Sequence, residues 1–141
     1  MQELLDKERK LQIMRAAVKR FAKHGLNKTT LDEIARDLRI GKATLYHYFD
    51  SKLDLYYQTL NWEESLYIED VKNIFTAEEK TMKERFVDYL KYKEDLKEKY
   101  KLVYDTILLV LSDDSFENEI NFVKSLMEKE EELLKSVLLK T

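Results

Sequence analysis

The residues best placed to do chemistry fall in one run, LDEIARDLRIGKATLYHYFDSKLDL, from Leu31 to Leu55. If Lys42 to Phe49 is helical, Lys42, Ala43, Thr44 and His47 point the same general way. That set suits recognition rather than catalysis. The Lys42 ammonium can donate to guanine acceptors or to a phosphate, and the Ala43 and Thr44 methyls can meet a thymine methyl. His47 makes a poor metal ligand or base, because the only other histidine, His24, ends a different helix. Carboxylates abound, but each has lysines nearby as ordinary surface partners, and no nucleophile–base pair or metal-ligand spacing appears. With no cysteine in the chain, thiolate chemistry and disulfides are excluded. We therefore expect no catalytic residue, no metal and no cofactor.

The elements that position this set are two short helices and a tight turn. Leu31, Ile34, Ala35 and Leu38 recur at i, i+3, i+4 and i+7, one apolar helical face. Thr30 precedes them as an N-cap, and Glu33 completes a capping box. The turn spans Leu38 to Gly41, and a second helix follows over Lys42 to Phe49, with Leu45 and Phe49 in the core and Tyr46 half in it. That is a helix-turn-helix unit, whose second helix lies in the DNA major groove. Before it, a helix over about Leu4 to His24 carries the stripes Leu11, Met14, Val18, Phe21 and Ile13, Ala17, Phe21. Gly25 is placed to end that helix as a left-handed C′ residue.

Across Ile13 to Leu55 the chain resembles the N-terminal domain of the TetR (tetracycline-repressor) family. The matching residues are Ala16-Ala17, Phe21, Gly25, Thr30, Ile34-Ala35, Ile40, Thr44 to Phe49, Ser51-Lys52 and Leu55. The resemblance implies an all-α fold, with a helix-turn-helix DNA-binding domain over 1–52 and a helical ligand-binding and dimerisation domain over 53–141. It implies that Tyr46, His47 and Tyr48 supply phosphate and groove contacts and that Thr30 and Lys52 grip the DNA backbone. The last two have independent support, since a helix N-terminus offers free N–H groups to a phosphate. Arg39 stands where the family usually has glycine, costing on the order of 1 kcal/mol if left-handed. Gly41 replaces a hydroxyl cap, Leu53 an acidic residue, and Asp32 occupies a spot from which some members offer DNA a basic side chain.

Beyond the motif, Ser51 caps a helix from Lys52 to about Phe75. Thr76 with Glu79 reads as a capping box opening a helix to roughly Lys97. Leu102 to Leu111 is apolar nearly all round and reads as buried. Ser112 to Ser115 is a polar break, and Asp114 or Ser115 caps a last helix with the stripe Phe116, Ile120, Val123, Met127, Leu134, Leu138, either core or a dimer face. Aromatics Trp62, Tyr89, Tyr92, Tyr100 and Tyr104, with Asp105 as polar anchor, are candidates for a small-molecule pocket, though aromatics at helical spacing more often form plain core. The roughly seven helices counted are fewer than the family's nine or ten, which suggests a reduced or truncated regulatory domain.

Composition agrees. Two glycines, no proline and 38% charged residues favour an almost wholly helical protein. Residues 1–60 hold 12 Lys and Arg against 8 Asp and Glu; the remainder holds 13 against 20. A basic N-terminal part on an acidic body suits a polyanion bound at one end. No segment approaches a membrane span and the start lacks a signal-peptide core, so a cytoplasmic location is expected. The expected function is a DNA-binding repressor acting as a homodimer on a palindromic operator and released by a small hydrophobic or aromatic effector. The alternative is a helical protein-interaction module whose helix-turn-helix is mainly structural.

Overall fold

A computed structural model describes residues 1–112 and 115–139. The described residues form eight helices: α1 Gln2–Lys28, α2 Leu31–Leu38, α3 Lys42–Tyr48, α4 Lys52–Phe75, α5 Met82–Glu94, α6 Leu96–Lys99, α7 Lys101–Leu111 and α8 Glu117–Leu138. No strand occurs among them, and no helix is long and apolar enough to cross a membrane. The chain divides into two compact units, Met1–Trp62 and Glu63–Thr141. The division falls inside α4, ten residues beyond the 52/53 boundary expected from the motif. Burial explains why the start of α4 belongs with the first unit: Leu55 is fully buried and Tyr56 meets Phe21 edge-on at 5.2 Å between ring centres.

In the first unit the core consists of Ile13, Met14, Ala17 and Phe21 from α1, Leu31, Ile34 and Ala35 from α2, then Leu45, Phe49, Leu55 and Leu60. These are the apolar positions whose spacing marks the helices. Gly25 departs from its expected role. It has positive φ, but at φ 82°, ψ 167° it is extended rather than left-handed helical, and helical backbone resumes to Lys28. That region is open essentially to glycine alone. The fully buried Thr29 fixes the kink, its hydroxyl donating to the Gly25 carbonyl at 2.7 Å and the Arg20 carbonyl at 3.2 Å.

The second unit corrects several expectations. Thr76 does not open a helix; its hydroxyl donates back to the Lys72 carbonyl at the end of α4. The capping box is Thr81 with Glu84 instead. Arg85 decides between the two sites, because its guanidinium takes up the Phe75 and Ala77 carbonyls, each at 3.0 Å, and so holds α4 closed. The helix expected to reach Lys97 ends at Glu94, and α6 follows as a separate turn. In α7 only Leu102, Val103 and Thr106 are buried, while Leu108, Leu109 and Leu111 are exposed, Leu111 at 76%. Phe116 is the N-cap of α8 without a side-chain cap bond; the Asp114 alternative lies outside the described residues. Of the expected α8 stripe only Val123 is buried, joined by Leu126, whereas Phe116, Ile120, Met127 and Leu138 are exposed.

Candidate nucleic-acid interface

Three local devices fix the helix-turn-helix. At the start of α2, the Thr30 hydroxyl accepts from the Glu33 N–H at 3.2 Å and donates to Glu33 Oε1 at 2.8 Å, while the Thr30 N–H donates to the same oxygen at 3.2 Å. The Thr30 hydroxyl, then the Arg20 charge, holds the Glu33 carboxyl below its ordinary range. At the other end Arg20 of α1 grips Asp37 in a bidentate pair, both bonds at 2.7 Å, and reaches Glu33 Oε2 at 3.0 Å. Such forked pairing orients as well as attracts, so α2 is clamped to α1 at both ends. Between α2 and α3 the chain turns through Arg39, left-handed at φ 56°, ψ 44°. The Arg39 N–H bonds the Arg36 carbonyl and the Ile40 N–H the Ala35 carbonyl, which closes α2 despite the missing glycine.

The recognition helix α3 then presents a polar surface. Leu45 is buried, while Lys42, Ala43, Tyr46 and His47 are exposed and Thr44 and Tyr48 half-buried. These six residues therefore share one seven-residue helix on a buried anchor. Gly41 caps it without a side-chain bond, as expected for a glycine. Lys42 lies 3.4 Å from Asp32 Oδ1 and 5.9 Å from the centre of the Tyr46 ring one turn on. His47 packs edge-on to Tyr48. The Tyr48 hydroxyl donates to Asp6 Oδ1 at 3.0 Å; burial, then that bond, pushes its pKa up. Lys52 is half-exposed at the first position of α4, where the Ser51 hydroxyl accepts the Asp54 N–H at 3.0 Å. Thr30 and Lys52 thus both stand at helix N-termini, although the Thr30 hydroxyl already serves the capping box.

The pocket candidates fall in both units. Trp62 belongs to the first unit, where with Lys7, Lys10, Leu11, Met14, Gln58 and Asn61 it lines a cleft of about 430 Å³. Tyr89 and Tyr92 lie in the second unit, donating to Glu130 and to Asp70 respectively. Tyr104 is half-buried on α7, and Asp105 pairs with Lys101 at 2.6 Å. Sequence reasoning missed Arg20, Thr29 and Asp6, whose partners are nine or more residues away in the chain for their longest bonds. It also missed Glu63, a buried carboxylate on α4 whose Oε1 accepts the Val103 N–H at the start of α7 at 3.2 Å. Burial pushes the Glu63 carboxyl up to about 7, against the pull of the Val103 and Leu102 amides. No group of three metal-binding side chains occurs among the described residues.

The capped positioning helix, left-handed turn and exposed recognition helix define a helix-turn-helix unit. Residues 13–58 match the family model of bacterial regulatory proteins, tetR family. The chain is 43% identical over 49 residues to the biofilm operon icaADBC negative transcriptional regulator IcaR of Staphylococcus aureus strain Newman, covering 35% of this chain and 26% of that protein. The regulator of the same name from strain COL matches equally. The uncharacterized transcriptional regulator YuxN of Bacillus subtilis strain 168 is 41% identical over 56 residues, 40% of this chain and 19% of that protein. The match thus spans about a quarter or less of these curated relatives.

Proposed function

We propose that this chain is a sequence-specific DNA-binding transcriptional repressor. The observation that carries this reading is the surface of α3: Lys42, Ala43, Tyr46 and His47 are exposed on a helix anchored by buried Leu45, within the segment that matches the family. Lys42, Ala43 and Thr44, early in the helix, read base edges; Tyr46, His47 and Tyr48 contact the groove walls. Thr30 and Lys52 hold phosphates at two helix N-termini. The negative regulator IcaR, a relative in this segment, favours repression over activation.

The protein acts as a homodimer on a palindromic operator, because two recognition helices must stand one DNA turn, ~34 Å, apart. Exposed Leu108, Leu109 and Leu111 on α7, Met127 and Leu138 on α8 and Leu139 just after it supply apolar surface of the kind an interface covers. A small-molecule effector releases the operator by binding the free and bound states with different affinity. Trp62, Tyr89, Tyr92, Tyr104 and Asp105 are its candidate contacts. The protein works in the cytoplasm, without a catalytic step.

The test is fluorescence anisotropy of the full chain with duplex DNA from its own upstream region, across a salt series, with an unrelated duplex as control. Saturable, sequence-preferring binding at two protomers per site is expected. Equal binding to both duplexes, or none at low salt, would refute operator recognition.

A further inference from the structure

In the first unit, α1 and the start of α4 enclose the cleft of about 430 Å³, whose residues are not among those assigned to DNA. Helix α1 contributes Lys7, Lys10, Leu11 and Met14, at i, i+3, i+4 and i+7, so one helical face lines it. Helix α4 contributes Gln58, Asn61 and Trp62, again three and four residues apart. Met14 is buried, Lys10, Leu11 and Trp62 are half-buried, and Lys7 is exposed. The cleft thus joins an apolar part to two ammonium groups, and no carboxylate is among the described residues that line it.

The two lysines lack the counter-charges that their own helix offers. Glu3 stands four residues before Lys7 and Asp6 four before Lys10, the spacing of helical ion pairs. Neither pair forms: among the described residues Lys7 and Lys10 join no ion pair. Asp6 is taken instead by the Gln2 amide at 3.1 Å and the Tyr48 hydroxyl at 3.0 Å. Asp54, one turn before Gln58, is likewise taken, by the Gln58 amide and the Asp50 N–H, each at 3.0 Å. Lys10 rests 5.5 Å from the centre of the Phe49 ring, a weak attraction that commits none of its N–H donors.

A cavity of this size suits a small molecule, since such sites span about 300–1,000 Å³ and are apolar with a few polar groups that fix orientation. Two unpaired ammonium groups one turn apart select an anion, and a carboxylate can accept from both through charge-assisted bonds. The Trp62 ring selects an aromatic body, because ring pairs gain beyond their buried area. We propose that the cleft binds a small arylalkyl carboxylate, its ring against Trp62, Leu11 and Met14 and its charge on Lys7 and Lys10. The proposal rests on the effector reading above and deepens it: Trp62 is kept, and the effector gains a charge, a chemical class and a place within the first unit. The test is run without DNA, so a failure of operator recognition and a failure of this site are read separately.

Trp62 is the only tryptophan of the chain, so its emission reports on the cleft directly. Titration of the full chain with hydrocinnamate should give a saturable change in that emission, with the same Kd by calorimetry. Hydrocinnamyl alcohol, the same body without the charge, should bind roughly tenfold more weakly. Lys7→Gln and Lys10→Gln, each checked for helicity by circular dichroism, should each weaken the acid several-fold and leave the alcohol unchanged. Lys23→Gln makes the same charge change on an exposed part of α1 outside the cleft and should bind as the parent does. An equal loss in Lys23→Gln would reduce the effect to net charge and overturn the site. So would equal affinity for the alcohol, calorimetric binding without a Trp62 response, or no saturation.

Discussion

Asp32→Asn should strengthen operator binding. Asp32 is exposed in the first turn of α2, and its Oδ1 lies 3.4 Å from the Lys42 ammonium, with side-chain exposures of 59% and 50%. In DNA-free protein it therefore competes with any phosphate or base that Lys42 would contact. At that distance in water the Coulomb attraction is about 1 kcal/mol. Exposed pairs realise only part of it, on the order of 0.5 kcal/mol. Two protomers per operator double the gain to about 1 kcal/mol, roughly a fivefold fall in Kd, with more at low salt because screening weakens the pair. Anisotropy titrations at two salt concentrations measure it. The control is Asp32→Asn in a Lys42→Ala background, where a double-mutant cycle isolates the pair. Loss of the gain there is expected. An equal gain with Lys42 absent would refute competition for Lys42, and a weaker Kd in the single variant would refute Lys42 as a DNA contact.

Further outcomes test the rest of the structure. Lys52→Ala should weaken binding to all sequences alike and flatten the salt slope by roughly one phosphate per subunit; an unchanged slope would remove Lys52 from the interface. Thr44→Ala should alter sequence preference in a binding-site selection, and uniform weakening would contradict base readout by that residue. Arg39→Gly should raise the urea midpoint by about 1 kcal/mol of stability, because residue 39 sits at φ 56° where a Cβ is strained; a lowered midpoint would mean that the arginine side chain stabilises the turn. Glu63→Gln tests the buried carboxyl, held at about 7 by burial against an ordinary value of 4.5. The folded state prefers its protonated form, so stability is full below pH 4.5 and declines as pH rises through 7. The variant should match the parent near pH 4.5 and exceed it by about 3 kcal/mol at pH 8, read by urea unfolding; a difference that ignores pH would refute the assignment.

The first unit was largely legible because its signals are local. Thr30 and Glu33 cap across three residues, and Leu31, Ile34 and Ala35 announce one face by spacing alone. The left-handed turn at Arg39 was pointed to by the resemblance, which has glycine there, and not by spacing. What spacing does not carry is partnership across the chain: nothing near Arg20 points to Asp37, 17 residues on, and nothing near Tyr48 points to Asp6, 42 residues back. Thr76 and Thr81 show the same limit. Both open a Thr-x-x-Glu pattern, and the choice between them rests on Arg85 reaching back to the Phe75 carbonyl at the end of α4 and the Ala77 carbonyl just beyond it. A local rule offers two starts, and a long-range contact selects one.

The apolar run YDTILLVL in α7 separates composition from burial more sharply. It was expected to be buried because it is apolar nearly all round, yet its last leucines are exposed. The hydrophobic effect rewards removal of apolar area from water without regard to what removes it. Residues destined for their own core and residues destined for a second copy are therefore written alike. Thr106 marks the difference within the helix. It is buried, with its hydroxyl returned to the Leu102 carbonyl at 2.8 Å, so the intramolecular face runs through Leu102, Val103 and Thr106. Leu108 and Leu111 are left to the opposite requirement: cover from outside the chain or a standing cost in exposed apolar surface. If the proposed second copy covers this face, the oligomeric state read by sedimentation should fall in Leu108→Ser and Leu111→Ser but not in Val103→Ala, and an unchanged state would remove this face from the interface.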